Sequence, residues 1–247
     1  MQNEDLNGSV VLISGASSGI GLAIAKILDQ KGAQLVLQDL NEDRLRSIQS
    51  NFKNESHLVF GDISDSATSE SAVSEAVAKF GRLDKVIANA GIYLTKDGWT
   101  VPANQIDQVV GVNVLGVMHL VHTAIKHFLT VGGGDIVVTS SVAGLVDVAH
   151  EAVYSATKNA VTSFVNSTRS KIAGNNIRIG SIEPGIVQTP LWETKAEITG
   201  VEVPQIVAEN RALKAEDVAQ AVLFMISQPR HVNVRDVVLL PTDQIFS

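Results

Sequence analysis

The sequence predicts an α/β fold, a single doubly wound domain whose seven-stranded parallel sheet carries helices on both faces. Three observations lead there. Seven short β-branched runs recur along the 247 residues. Helix-period segments separate them. The runs are apolar almost without interruption, the pattern of strands covered on both sides rather than half exposed. Strand and helix in strict alternation imply right-handed crossovers, and hence parallel neighbours.

The first run, "SVVLIS" at 9–14, leads through a glycine-containing turn into a helical pattern over 19–31. "AQLVLQ" (33–38) precedes the pattern at 41–51, where Asn41 suits an N-cap. "HLVF" (57–60) is followed by 68–80, "KVIAN" (85–89) by the long pattern 104–130, and "DIVVTS" (135–140) by 152–173. "IRIGSI" (177–182), the pattern at 215–227 and "DVVLL" (236–240) complete the alternation. No repeat, low-complexity tract or Pro/Gly/Ser-rich linker divides the chain, so 1–247 is expected to be one domain. The segment 190–213, "PLWETKAEITGVEVPQIVAENRAL", is too long for a simple connection and is expected to be a substrate loop or lid.

Composition excludes several functions. Hydrophobic residues make up 45% and charged residues 18%, enough for a sizeable core. A formal net charge of −7, with no block of Lys and Arg, argues against a nucleic-acid partner. The absence of cysteine removes disulfides, thiolate metal sites and a cysteine nucleophile, and fits a reducing compartment. "MQNEDLNGS" has no basic region of a secretory signal, and no uninterrupted apolar stretch approaches the ~18–20 residues of a bilayer span. A cytoplasmic protein with no membrane partner is expected. His119, His122 and His127 share one helical pattern without an acidic neighbour, so no metal site is expected.

Two places carry chemistry. "SGASSGIGLAIAKIL" sets Gly15, Gly19 and Gly21, with Ser17, Ser18 and Ile20 between them, at a strand-to-helix turn. Glycines there let the backbone approach a pyrophosphate, and the helix N-terminus offers free N–H groups. Eighteen residues after Gly21 the second strand ends at Asp39, a carboxylate suited to an adenosine ribose diol and repellent to a 2′-phosphate. Neither Ser17 nor Leu40 is basic, so NAD is the expected cofactor. Further on, Tyr154 and Lys158 lie four positions apart and share a helix face. A cation beside a phenol favours the phenolate and lowers a pKa that is ordinarily about 10.

The motifs recur in a family order. "SGASSGIG" (14–21), "GDISD" (61–65), "ANAG" (88–91), "VTSSVAG" (138–144), "YSATK" (154–158) and "EPGIVQTP" (183–190) together resemble the short-chain dehydrogenase/reductase family. Ser14 stands where that family usually has threonine, and Ala88 where it has asparagine. The resemblance implies a Rossmann-type domain and an NAD-dependent oxidoreductase acting on CH–OH groups. It implies cofactor contacts from Gly15, Ser17, Ser18, Gly19, Ile20, Gly21, Asp39, Asp62, Ile63, Asn89, Ala90, Gly91, Tyr154, Lys158, Pro184, Gly185, Val187 and Thr189.

It further implies a catalytic tetrad of Asn113, Ser141, Tyr154 and Lys158, with Ser141 preferred to Ser140 because it lies 13 residues before Tyr154. Ser141 would hold the substrate oxygen, Tyr154 exchange its proton, Lys158 bind the nicotinamide ribose and tune the tyrosine, and Asn113 support a proton path. Ser141, Tyr154, His150 and Trp192 are the expected substrate contacts, with Tyr93, Asp147, Glu151 and Glu193 on the same predicted walls. A small-molecule alcohol or ketone is the implied partner, and a homotetramer packed through 104–130 and 152–173 the implied assembly. "GDIVVTSSVAGLVDVAHEAVYSATKNAV" and "VNVRDVVLLP" are similar to polyol dehydrogenases of the ribitol 2-dehydrogenase kind. The rival readings are an NADPH-dependent 3-oxoacyl or other carbonyl reductase, and a non-catalytic dinucleotide sensor. Asp39 and the lack of a Gly-rich C-terminal ending weigh against the first, and the complete tetrad against the second.

Overall fold

Val10, Val11, Leu12 and Ile13 are all fully buried, because β1 (Val10–Ser14) runs through the middle of a sheet covered on both faces. The computed structural model describes residues 4–94, 99–148, 151–190 and 204–244. After β1 come α1 (Gly19–Gln30), β2 (Gln34–Asp39), α2 (Glu42–Gln49), β3 (Ser56–Phe60), α3 (Ser66–Phe80) and β4 (Lys85–Ala88). Then follow α4 (Ala103–Val110), a π-helical turn (Gly111–Gly116), α5 (Val117–Val131), β5 (Gly134–Thr139), α6 (Ala152–Ile172) and β6 (Ile177–Pro184). β7 (Val187–Gln188), α7 (Gln205–Ala208), β8 (Leu213–Lys214), α8 (Ala215–Ile226) and β9 (Asp236–Leu239) follow, and a 3-10 turn (Val142–Gly144) lies between β5 and α6.

The sheet order is β3-β2-β1-β4-β5-β6-β9, with every pair parallel. This is the seven-stranded doubly wound sheet that the alternation predicts. Alternate residues of each strand serve opposite faces: Leu12, Val86 and Ile136 pack with Leu120, Phe128 and Val165 of α5 and α6. Val11, Ile13 and Ile87 pack with Ile24, Leu28 and Val222 of α1 and α8. Burying each such side chain contributes roughly 1.5–3 kcal/mol. The strand order reverses between β1 and β4, and a crevice opens there at the carboxyl ends of the strands.

Local signals set the helix starts. Asn41 accepts from Arg44 N at 2.9 Å, and Asp65 accepts from Ala67 N at 2.9 Å and starts α3 two residues earlier than the periodicity suggests. Two features differ from the expectation. The pattern at 104–130 is interrupted by the π turn, because one widened turn barely alters a hydrophobic period read over many residues. The short parallel pair β7·β8, joined at Val187 and Leu213, forms beside the main sheet from residues with no strand pattern of their own. The helix Ala103–Val131 has the length and mean hydropathy, 1.5, of a membrane span. Its apolar face is used in the core, where Val117, Val121, Ala124 and Phe128 are buried. Of the expected loop 190–213, residues 191–203 lie outside the described residues.

Candidate active site

The glycine turn after β1 is shaped by what surrounds it. Gly15 has φ +65°, and a Cβ there would lie 2.8 Å from Ala90 Cα. At Gly21 a Cβ would lie 2.1 Å from Gly15 O and 2.7 Å from Asn89 Nδ2. Only glycine lets α1 start this close to β4. Ser18, the N-cap of α1, makes no side-chain cap bond, and the first turn carries no acid, so the positive end of the helix is left for an anion. Ser14 keeps the hydroxyl that threonine would supply: its Oγ accepts from Asn89 N at 3.0 Å and Ala90 N at 3.1 Å. Asn89 Nδ2 in turn donates to Ser14 O at 3.2 Å.

Asp39 ends β2 at the same crevice. Its Oδ2 accepts from Ser17 N at 3.0 Å and its Oδ1 from Asn41 N at 3.0 Å, so two main-chain donors fix the carboxylate in place. Asp62 Oδ1 accepts from Ser64 N and Ser64 Oγ at 2.9 and 2.8 Å.

Across the crevice, Ser140 and Ser141 follow β5 and point different ways. Ser140 Oγ bonds Thr162 Oγ1 at 2.8 Å and turns into α6. Ser141 Oγ instead accepts from Ala143 N at 3.2 Å, donates to Pro184 O at 3.5 Å and lines the cleft with Tyr154. Lys158 Nζ donates to Thr139 O at 3.0 Å and lies 5.7 Å from the centroid of the Tyr154 ring. Tyr93 packs against Tyr154, with centroids 4.5 Å apart and planes tilted by 55°. Asn113, fully buried in the π turn, accepts from Ile92 N at 2.8 Å and donates to Ile92 O at 2.9 Å and Thr157 Oγ1 at 3.2 Å.

The electrostatics differ from the expectation in one respect. Loss of solvent pushes the Tyr154 phenol up from its ordinary value; the Ser141 hydrogen bond lowers it and the Glu151 carboxylate raises it further. The expected downward pull of Lys158 is not the dominant influence. Burial acts on Lys158 as well, pushing its ammonium down to about 8.

These groups share one cleft of about 900 Å³. Gly15, Ser18, Gly19, Ile20, Asp39, Asp62, Ile63, Asn89, Ala90, Gly91, Pro184, Gly185, Val187 and Thr189 line it together with Ser141, Tyr154 and Lys158. Ser17, Gly21 and Asn113 do not reach its wall: Ser17 orients Asp39, Gly21 packs on Gly15, and Asn113 lies behind Ile92. His150 and Trp192 lie outside the described residues. A glycine cradle, an uncapped helix N-terminus and a fixed carboxylate at the far end fit a dinucleotide.

The sequence profile of short chain dehydrogenases matches residues 9–199. The chain belongs to that family. An uncharacterized oxidoreductase of Staphylococcus epidermidis is 33% identical over 232 residues, covering 94% of this chain and 96% of the relative. The structure of a 3-ketoacyl-(acyl-carrier-protein) reductase from Brucella melitensis, complexed with NADH, is 29% identical with a TM-score of 0.86, covering 97% of this chain and all of that one. An alcohol dehydrogenase from Thermococcus sibiricus, complexed with 5-hydroxy-NADP, is 26% identical with a TM-score of 0.85, covering 98% of this chain and all of that one. This short chain dehydrogenase is therefore an oxidoreductase whose fold binds a nicotinamide dinucleotide and a small-molecule substrate.

Sequence reasoning missed three residues of this cleft and its supports. Arg44 lines the cleft together with Asp39 and Leu40, so a basic residue does stand at that end of it, supplied by the first turn of α2 rather than by Ser17 or Leu40. Among the described residues its guanidinium has no hydrogen-bond or ion-pair partner. Thr139 joins the two halves of the site, since its Oγ1 donates to Asn89 Oδ1 at 3.1 Å while its carbonyl accepts from Lys158. Thr157 links Asn113 to α6. No spacing rule points to them, because each acts through a contact with a distant segment.

Proposed function

We propose that this short chain dehydrogenase oxidises a secondary alcohol, a sugar alcohol such as ribitol, with NAD. The observation that carries the reading is the constellation at the cleft wall: Ser141 and Tyr154 lining it together, and Lys158 beneath the tyrosine ring. A bound nicotinamide would supply the acceptor for the hydride that leaves the carbinol carbon. The Tyr154 phenol first gives up its own proton to water, against the upward push of burial; the phenolate then takes the hydroxyl proton, and Ser141 holds the same oxygen as it becomes a carbonyl. Lys158, anchored on Thr139 O, holds its charge beside the phenol and meets the ribose. Asn113 positions Ile92 and Thr157 rather than touching substrate.

Asp39 supports NAD, because a carboxylate held there by Ser17 N and Asn41 N would repel a 2′-phosphate. Arg44 supports a second reading, carbonyl reduction with NADPH, since a free guanidinium at that end suits a phosphate. The similarity of "VAGLVDVAHEAVYSATK" and "VNVRDVVLLP" to ribitol-type dehydrogenases supports the polyol. Leu115 and Leu129, exposed on the long helix, support a homotetramer packed there, tested by light scattering. The absence of cysteine supports a cytoplasmic setting.

The deciding experiment follows cofactor absorbance with ribitol, xylitol, sorbitol, hydroxysteroids and 3-hydroxyacyl thioesters, each with NAD and with NADP. Turnover of the polyols with NAD is expected. Turnover of only steroids or thioesters overturns the polyol assignment, and no turnover of any alcohol or ketone overturns the catalytic one.

A further inference from the structure

Pro184, Gly185, Ile186, Val187 and Thr189 line the cleft as one strip of chain. At one end Pro184 O accepts from Ser141 Oγ at 3.5 Å. At the other, Thr189 packs on the glycine turn, where a Cβ on Gly19 would lie 3.4 Å from Thr189 Cβ. The strip thus runs from Ser141 to the start of α1. Three segments hold its middle in place. Gly185 N donates to Leu239 O at 2.7 Å, at the end of β9, and Ile186 O accepts from Leu213 N at 3.0 Å, at the start of β8. The third hold is a side chain: Ile186 N donates to Gln244 Oε1 at 2.9 Å. A main-chain N–H only donates, so the Gln244 amide must turn its oxygen towards Ile186. The same oxygen fills the space beside Gly185, where a Cβ would lie 2.1 Å from it. Gln244 itself lines the cleft. Its neighbour Asp243 is ion-paired with Arg211, which also pairs with Glu209, so the segment beyond β9 grips the approach to β8 as well as the turn before β7.

We propose that Gln244 is a positioning residue of the cofactor site: by holding Ile186 N and closing the space beside Gly185, it sets the strip 184–189 against the nicotinamide half of the dinucleotide. The inference rests on the reading of the cleft as a dinucleotide site whose nicotinamide lies beside Ser141 and Tyr154. Two of the three holds on the turn run from main chain to main chain and survive any change of side chain. The third depends on Gln244 alone, and its loss leaves the Ile186 N–H without its acceptor and the turn free to drift from the cleft. The adenosine half is built by other segments, with Asp39 at the end of β2 and Asp62 after β3, so it should not feel the change.

Wild type, Gln244→Leu and Gln244→Glu, titrated by calorimetry with NADH and with 5′-ADP at about pH 7.5, test this. Leucine keeps the bulk and removes the acceptor. Glutamate, ionised at that pH, keeps an oxygen for Ile186 N and loses only the amide donor. The reduced ring of NADH carries no charge, so the glutamate gains no attraction from it. Gln244→Leu should bind NADH about tenfold more weakly, with 5′-ADP within about twofold of wild type. Gln244→Glu should bring NADH back to within about threefold. Hydrogen exchange, read by mass spectrometry on a peptide spanning Ile186, should be about tenfold faster in Gln244→Leu and close to the wild-type rate in Gln244→Glu.

A contact that only stabilises the fold would weaken both ligands together or neither. Unchanged NADH affinity in Gln244→Leu, equal losses of NADH and 5′-ADP, or a Gln244→Glu variant as weak as Gln244→Leu each overturns the proposal. If wild type binds neither ligand, the dinucleotide reading falls and the proposal with it. If wild type binds NADH and only the exchange at Ile186 responds to Gln244→Leu, the proposal falls alone.

Discussion

Ser141 and Tyr154, 13 residues apart and on different elements, line the wall of one cleft. β5 delivers the serine and α6 the tyrosine, and the neighbouring Ser140, though it lines the same cleft, has its hydroxyl engaged by Thr162 Oγ1 at 2.8 Å. That division ties the Ser140 hydroxyl to α6 and leaves the Ser141 hydroxyl for a substrate.

Tyr154→Phe removes only the transferable proton and keeps the ring against Tyr93. Turnover should fall by about 10²–10⁴, while the dissociation constant for NAD, measured by fluorescence titration, should move less than about twofold. Activity within tenfold of wild type would remove Tyr154 from the mechanism.

Lys158 is held near a pKa of 8 by burial, below its ordinary 10.5. Between those values the unfolded chain binds a proton that the folded chain does not, so stability rises as pH climbs from about 8 to about 10.5. Below pH 8 the buried ammonium costs roughly 3 kcal/mol. Without cofactor, Lys158→Met should therefore be more stable than wild type in urea at pH 7, with the gap closing towards pH 10, while catalysis and NAD binding are lost. A gap independent of pH would mean that the lysine is not destabilised by its site.

Asp39 and Arg44 should pull cofactor preference in opposite directions. Asp39→Ala should narrow a preference for NAD by about tenfold, and Arg44→Ala should weaken NADP about tenfold while leaving NAD within about twofold. Adenosine 2′,5′-bisphosphate and 5′-ADP, titrated against each variant by calorimetry, report this without turnover. Equal effects of Arg44→Ala on both ligands would place the guanidinium away from the 2′ position.

Glu183 is fully buried in β6, with Oε1 accepting from Ser181 Oγ at 2.5 Å and Oε2 without a hydrogen-bond partner. Burial pushes its carboxyl up to about 6; Ser181 opposes this and Asp236 adds to it. The folded chain thus holds a proton between pH 4.5 and 6 that the unfolded chain releases, and stability falls as pH rises through that window. Above pH 6 the ionised group costs about 2 kcal/mol. Glu183→Gln should raise the denaturation midpoint at pH 7.5 and flatten the change between pH 4.5 and 6, measured by chemical unfolding. A variant with the wild-type slope would show that another group titrates there.

The sequence by itself determined the alternation of strands and helices, the glycine turn after β1, the Asp39 terminus of β2 and the Tyr154–Lys158 face of α6. Each is written in residues a few positions apart, within reach of hydrophobic period, turn chemistry and helical spacing. Only the tertiary structure decided the rest. Arg44 reaches the cleft because α2 starts beside Asp39, and Asn113 is locked by Ile92, 21 residues away, through a π turn that periodicity does not register. The tyrosine that a neighbouring lysine was expected to bring down is instead pushed up. Proximity of charge can be read along a helix, but desolvation is set by everything that folds around the group.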